Sequence, residues 1–172
     1  RELAVLASQY FQTGQYDSAI EASLRALEKN PDLDLRALLL LNLSSAYLEK
    51  GIAPYVSGKD ETFYNESLKF SKQCLLIQPN NWQVLGNIAT VLMNENNLEQ
   101  AEKYYAQAEK FADKKSTRYE QLIRHREQVQ RRLRGEPGPA EPVHMTVDPS
   151  WDASPSKEAG YAAYAKGRFL RF

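Results

Sequence analysis

Residues 19–31 read Ala19-Ile20-Glu21-Ala22-Ser23-Leu24-Arg25-Ala26-Leu27-Glu28-Lys29-Asn30-Pro31, and their pattern returns twice further along the chain. Two small residues, Ala19 and Ala26, stand seven apart, and a proline comes five residues after the second. Ser67, Cys74 and Pro79 repeat that spacing, while Ala101 and Ala108 repeat it without the proline. Seven residues are about two turns of α-helix, so each small pair lies on one stripe. A small side chain there lets a neighbouring helix come close, where a larger one would push it away. Upstream, Leu3, Leu6, Ala7 and Tyr10 mark one face of a helix at helical spacing, and Gly14 breaks it. The unit is therefore a helix–turn–helix of about 34 residues, and tandem units of that kind stack into a solenoid.

The second unit opens with Ala37-Leu38-Leu39-Leu40-Leu41, continues through Leu43, Ser44 and Tyr47, and is expected to stop at Gly51. Five residues separate Gly14 from Ala19, but sixteen separate Gly51 from Ser67, an insertion of eleven. The inserted stretch 52–63 carries Pro54, Gly58 and three charges, which predicts a surface excursion. Its Ile52, Tyr55, Val56 and Phe63 either cover the hairpin turn or meet a partner, since insertions in repeat arrays collect on one face. The third unit places Trp82, Leu85, Ile88, Ala89 and Leu92 on one helix and Leu98, Ala101, Tyr105 and Ala108 on the next. Asn96-Asn97 stands where a turn glycine is usual, and asparagine tolerates positive φ. Residues 116–133 form one more helix with a sparse apolar face of Tyr119, Leu122, Ile123, Val129 and Leu133. Its Arg124, Arg126, Arg131, Arg132 and Arg134 are expected mostly on the free side, as suits a helix that caps an array.

With Leu6, Ala7, Tyr10, Gly14, Tyr16, Ala19, Ala26 and Pro31 all in place, residues 2–113 resemble the tetratricopeptide repeat family. The resemblance implies an all-α, right-handed superhelix of three helical hairpins at about 2–33, 37–79 (insertion at 52–63) and 82–113. The capping helix at 116–133 completes a repeat domain over 1–134, and a proline-rich linker with an aromatic, basic and largely irregular tail fills 135–172. It also implies that the first helix of each repeat lines a concave groove that binds a protein partner, as an extended or helical segment. Carried over, the groove residues are Ala4, Ser8 and Phe11; Leu41, Asn42, Ser45 and Leu48; Gln83, Asn87, Thr90 and Met93; with Gln121 and Arg124 from the capping helix. Asn42 and Asn87 occupy the same position in successive repeats. Each amide either holds the backbone of a guest or binds water or a neighbouring helix. Family members that clamp a terminal carboxylate carry charged or amide residues where Ala4, Ser8 and Gln83 stand here, and only Asn42 matches. The expected groove is small, neutral and lightly apolar.

The 22 basic and 22 acidic residues cancel, so the total suggests neither nucleic acid nor membrane insertion. Their distribution is uneven: net −5 over 1–113, +6 over 114–134 and −1 over 135–172. The basic stretch 125–134 is either a charged outer face or a contact for RNA, an acidic lipid surface or an acidic partner. Cys74 is the only cysteine, which excludes an internal disulfide. His125 and His144 lie far apart in the sequence, and no metal spacing, phosphate loop or serine with a base appears. The expectation is a cytoplasmic protein-interaction scaffold with no cofactor, no metal and no enzyme activity.

Two alternatives stay open. The chain begins at Arg1, which reads as a segment of a longer protein and suggests a regulatory or assembly module of a larger enzyme or secretion complex. Alternatively the domain self-associates, with the tail aromatics Tyr161, Tyr164, Phe169 and Phe172 in the groove of the same or a neighbouring molecule. His144-Met145 also reads as a cloning junction, which would make residues 146–172 foreign to the repeats.

Overall fold

The computed structural model describes residues 1–52 and 61–136, and these described residues form seven α-helices and no strand. They are α1 Glu2–Gln12, α2 Tyr16–Glu28, α3 Leu33–Ile52, α4 Glu61–Ile77, α5 Trp82–Asn94, α6 Leu98–Phe111 and α7 Thr117–Leu133. Each helix packs on the next, and α1, α3, α5 and α7 also touch in series. This is an all-α helical repeat of three hairpins with a seventh helix against the last. Tyr55, Val56 and the linker and tail expected beyond 136 lie outside the described residues.

Turn chemistry sets the hairpins. Gly14 and Asn96 occupy equivalent turns with φ of 73° and 64°, so the asparagine does take the left-handed conformation expected of it. Asp32 Oδ1 accepts the Leu35 amide at 2.9 Å, Asn81 Oδ1 accepts the Val84 amide at 3.1 Å, and Ser116 Oγ accepts the Arg118 amide at 3.3 Å. These bonds satisfy amides that the first turns of α3, α5 and α7 leave without helical partners.

The small residues spaced seven apart sit at the helix crossings. Ala7, Ser67, Cys74, Ala101 and Ala108 are fully buried, with Ala19 and Ala26 close to it. Across the α3–α4 crossing Ser67 Oγ donates to the Ser44 carbonyl at 2.8 Å, and Cys74 Sγ donates to the Ala37 carbonyl at 3.2 Å. Close approach therefore comes with its own hydrogen bonds. Burial pushes the Cys74 thiol up to about 12, so it stays protonated and packs as a small apolar group.

The second hairpin departs from expectation at both ends of its turn. α3 does not stop at Gly51 but runs through Ile52, and α4 already begins at Glu61, so Phe63 is helical. Gly51 is there for a neighbour, since a Cβ on it would lie 2.7 Å from Tyr64 Cε1, inside contact distance. Ile52 is buried, and Phe63 lies beside Tyr47 at 6.4 Å with Lys50 Nζ 4.5 Å from its ring centre. Both therefore cover the hairpin locally.

α7 docks on α6 through more than apolar contact. Leu122 and Val129 are fully buried, whereas Leu133 is largely exposed rather than facing the repeats. Arg126 is not on the free side. Its Nε and Nη2 donate to Glu102 Oε1 at 2.9 and 2.7 Å, its Nη1 pairs with Glu109 Oε2, and Gln130 joins Glu102 at 3.0 Å. Arg132 also turns inward, donating to the Met93 carbonyl at 3.3 Å and to Asn96 Oδ1 at 2.7 Å. Only Arg124, Arg131 and Arg134 of the five are exposed.

Candidate interaction surface

The first helices α1, α3 and α5 lie side by side, with α7 next to α5. Spacing of three and four residues brings Ala4, Ser8 and Phe11 onto one face of α1. The same spacing aligns Leu41, Ser45 and Leu48 on α3, and Gln83, Asn87, Thr90 (with Met93) on α5. α7 adds Gln121, one turn after Arg118.

The structure places the carried-over groove positions deep in the fold. Ala4, Ser8, Phe11, Leu41, Asn42, Ser45, Leu48, Gln83, Asn87, Thr90, Met93 and Gln121 are all buried, none more than 6% exposed. Arg124 alone of the thirteen candidates is exposed. Ala4, Phe11 and Leu41 belong to the apolar core of the first two hairpins, and Leu48 and Met93 to that of the third. Phe11, for example, packs against Tyr16 across the first turn with ring centres 5.6 Å apart. The spacing of these positions could be read from sequence, but the depth at which they sit could not.

The polar members form a chain of hydrogen bonds between neighbouring first helices. Ser8 Oγ donates to the Ala4 carbonyl at 3.1 Å and receives Asn42 Nδ2 at 3.4 Å, linking α3 to α1. Asn87 Nδ2 donates to Ser44 Oγ at 2.9 Å and to Ser45 Oγ at 3.1 Å, linking α5 to α3. Thr90 Oγ1 donates its one proton to the Gly86 carbonyl at 2.9 Å, so the Tyr105 hydroxyl is the donor to Thr90 at 2.8 Å. Burial raises the Tyr105 phenol well above its ordinary value and keeps that proton in place. One acceptor is left over: Asn87 Oδ1 is buried with no hydrogen-bond partner.

Three groups here escaped the sequence reasoning. Ser44 meets Ser71 at 2.6 Å beneath Asn87, a buried serine cluster whose signal was the small-residue stripe itself. Glu49, four residues after Ser45 on α3, is 4% exposed, and burial of the Tyr16 phenol together with the Glu49 charge raises that phenol to about 12. Arg118, which begins α7, is 1% exposed. It lies close enough to His125 to help burial and Arg124 lower that imidazole to about 4. Among the described residues no group of three His, Cys, Asp or Glu can hold a metal ion, and no helix is long and apolar enough to cross a membrane.

Compared with protein-family models, the chain matches one described as tetratricopeptide repeat at residues 3–33 and 83–114. These are the first and third hairpins, and the unmatched middle one carries the insertion. No curated protein matches the chain.

Proposed function

Because the chain is a tetratricopeptide repeat protein, and such repeats mediate protein–protein contacts, we propose that the face shared by α1, α3 and α5 receives an extended or helical segment of a partner protein. The observation that carries this reading is Asn87 Oδ1, a buried acceptor without a partner on that face. An unmet buried acceptor costs roughly 1–3 kcal/mol, which a guest backbone amide would recover. Beside it Ser45 is small and polar, and Ser8 and Thr90 are likewise small on the neighbouring turns of α1 and α5, which limits the bulk along this face. Phe11, Leu48 and Met93 lie along the same side of α1, α3 and α5, packed into the core, so a guest would meet that face at its edges. Affinity then comes from the guest's backbone and a few anchors, and partner choice from where those anchors fall.

A displayed library of random sixteen-residue peptides, selected on the intact chain, supplies the probe. Selected peptides carrying a photoreactive residue are expected to cross-link to α1, α3 and α5. Cross-links confined to the outer faces of α2, α4 and α6 would contradict the assignment.

A further inference from the structure

The seams between successive hairpins share one plan, and its chemistry changes along the array. In each second helix the two small residues are followed directly by a pair seven apart: Ile20 and Leu27 on α2, Leu68 and Leu75 on α4, Glu102 and Glu109 on α6. The next first helix answers with one residue, and at the last seam Arg126 of α7 pairs with both Glu102 and Glu109. Its counterparts are Tyr47 on α3 and Leu92 on α5, and each shares an apolar cluster with the aliphatic pair of the helix before it. Aliphatic pairs thus meet an apolar residue, and the carboxylate pair meets an arginine.

α1 carries the same answering stripe, and among the described residues no second helix precedes it. Leu3, Leu6 and Tyr10 are spaced by three and four residues, so they line one side of the helix. Leu6 comes just before Ala7, as Leu43 comes before Ser44 and Ile88 before Ala89. Leu43 and Ile88, on the helices that follow α2 and α4, are 0% and 5% exposed, whereas Leu6 is 37% exposed. The far end of the array is finished differently: Glu120, Arg124, Glu127 and Arg131 put charge on the open side of α7. We propose that the Leu3–Leu6–Tyr10 stripe of α1 docks an amphipathic helix of a partner protein, one with two aliphatic residues seven apart and a small residue between them.

Three observations select this occupant. Tyr10 holds the place of Tyr47 and Leu92 rather than that of Arg126, so the seam suits an aliphatic pair and not a carboxylate pair. Ser23 and Ser71, between the members of the two aliphatic pairs, are buried, and a small residue there lets the helices close on each other. A second copy of this chain has no such face to offer, since α3, α5 and α7 already pack on α2, α4 and α6. The continuity of α1 with the seams at α3 and α5 therefore points to a helix from another protein. Ala4, Ser8 and Phe11 stand on a different stripe of α1, so this docking goes beyond the face proposed above and does not depend on it.

The probe is a stapled helical peptide with the sequence of residues 16–28, added to the full chain and followed through the methyl and ring signals of Leu3, Leu6 and Tyr10. Saturable shifts at these three residues are expected. A second peptide, in which Ile20→Glu and Leu27→Glu reproduce the α6 pair, is expected to bind about tenfold more weakly or worse, since its carboxylates would be buried without a cation. Tyr10→Arg in the chain should strengthen the second peptide and weaken the first, as the α6–α7 seam does with Arg126. Leu6→Glu should abolish binding of the first peptide, and Leu76→Glu, on an exposed leucine near the end of α4, should leave it unchanged. No shift at Leu3, Leu6 and Tyr10 with millimolar peptide overturns the proposal. So do shifts centred on Tyr47, which mean that the peptide trades places with α2. Equal binding of the two peptides overturns the stated chemistry of the partner. Concentration-dependent shifts of the same signals without peptide, with a doubled mass in sedimentation, overturn the partner form and place a second copy on the face. Cross-links of selected peptides to the face shared by α1, α3 and α5 are read in a separate experiment, so either proposal can fail while the other stands.

Discussion

The side-chain amide of Asn87 reaches from α5 to Ser45 on α3, with Nδ2 3.1 Å from Ser45 Oγ and 2.9 Å from Ser44 Oγ on the same helix. One side chain thus ties the third hairpin to the second, on the face proposed for partners. The amide is a structural strut first, and its oxygen is left buried without a partner.

Asn87→Ala therefore lowers stability as well as partner affinity. Removing both bonds leaves two buried hydroxyls with a lost donor, at a cost of about 1–3 kcal/mol. Urea denaturation is expected to show an earlier midpoint with an unchanged slope. An unaltered midpoint would mean that the amide does not bridge the helices.

Gly51→Ala is expected to destabilise the chain although alanine favours a helix over glycine by about 1 kcal/mol. The new methyl meets the Tyr64 ring, which is itself buried and has nowhere to go. Overpacking of this kind costs about 1–3 kcal/mol. Adding Tyr64→Leu should shrink the penalty of Gly51→Ala, a coupling that a double-mutant cycle measures directly.

His125 makes stability depend on pH. Burial first, then Arg124 and Arg118, lower its folded pKa to about 4. The unfolded imidazole takes its proton near ~6.5. Acid therefore favours the unfolded chain. The contribution is intact above about pH 6.5, erodes as pH falls and levels off below about 4, amounting to about 3 kcal/mol. His125→Leu should flatten the stability curve through that window, as read by denaturant midpoints at successive pH values. An identical slope in the variant would mean that His125 is solvated.

Arg126→Gln should loosen α7 from α6, since the guanidinium bridges Glu102 and Glu109. All three side chains are partly shielded, so the loss is expected near ~1–2 kcal/mol. It should appear as faster amide exchange within α7 than within α3. Equal protection in the variant and the parent would count against the bridge as the clasp of the terminal helix.

The register of the array was legible because small residues seven apart have one physical meaning on a helix, and Ala19, Ala26, Ser67, Cys74, Ala101 and Ala108 all lie at crossings. The Asn96 turn was legible for the same kind of reason, a backbone conformation that few residue types accept. Gly51 misled because glycine in a helix can signal either an end or a close neighbour, and the neighbour, Tyr64, is thirteen residues away. Arg126 and Arg132 misled because a charged residue at the end of an array looks solvated until its acceptors, on α6 and at the end of α5, are placed beside it. The depth of the groove residues depends on everything packed above them, and periodicity within one helix carries no information about that.

The stacking of first helices on which the proposed partner binding rests is tested most directly by a nuclear Overhauser spectrum of the intact, isotope-labelled chain. Cross-peaks from the Asn87 side-chain amide protons to the β-protons of Ser44 and Ser45 are expected, together with one from the Asn42 amide to Ser8. Resolved, assigned Asn87 amide signals lacking any contact to α3 would contradict the stacked arrangement and the shared face with it.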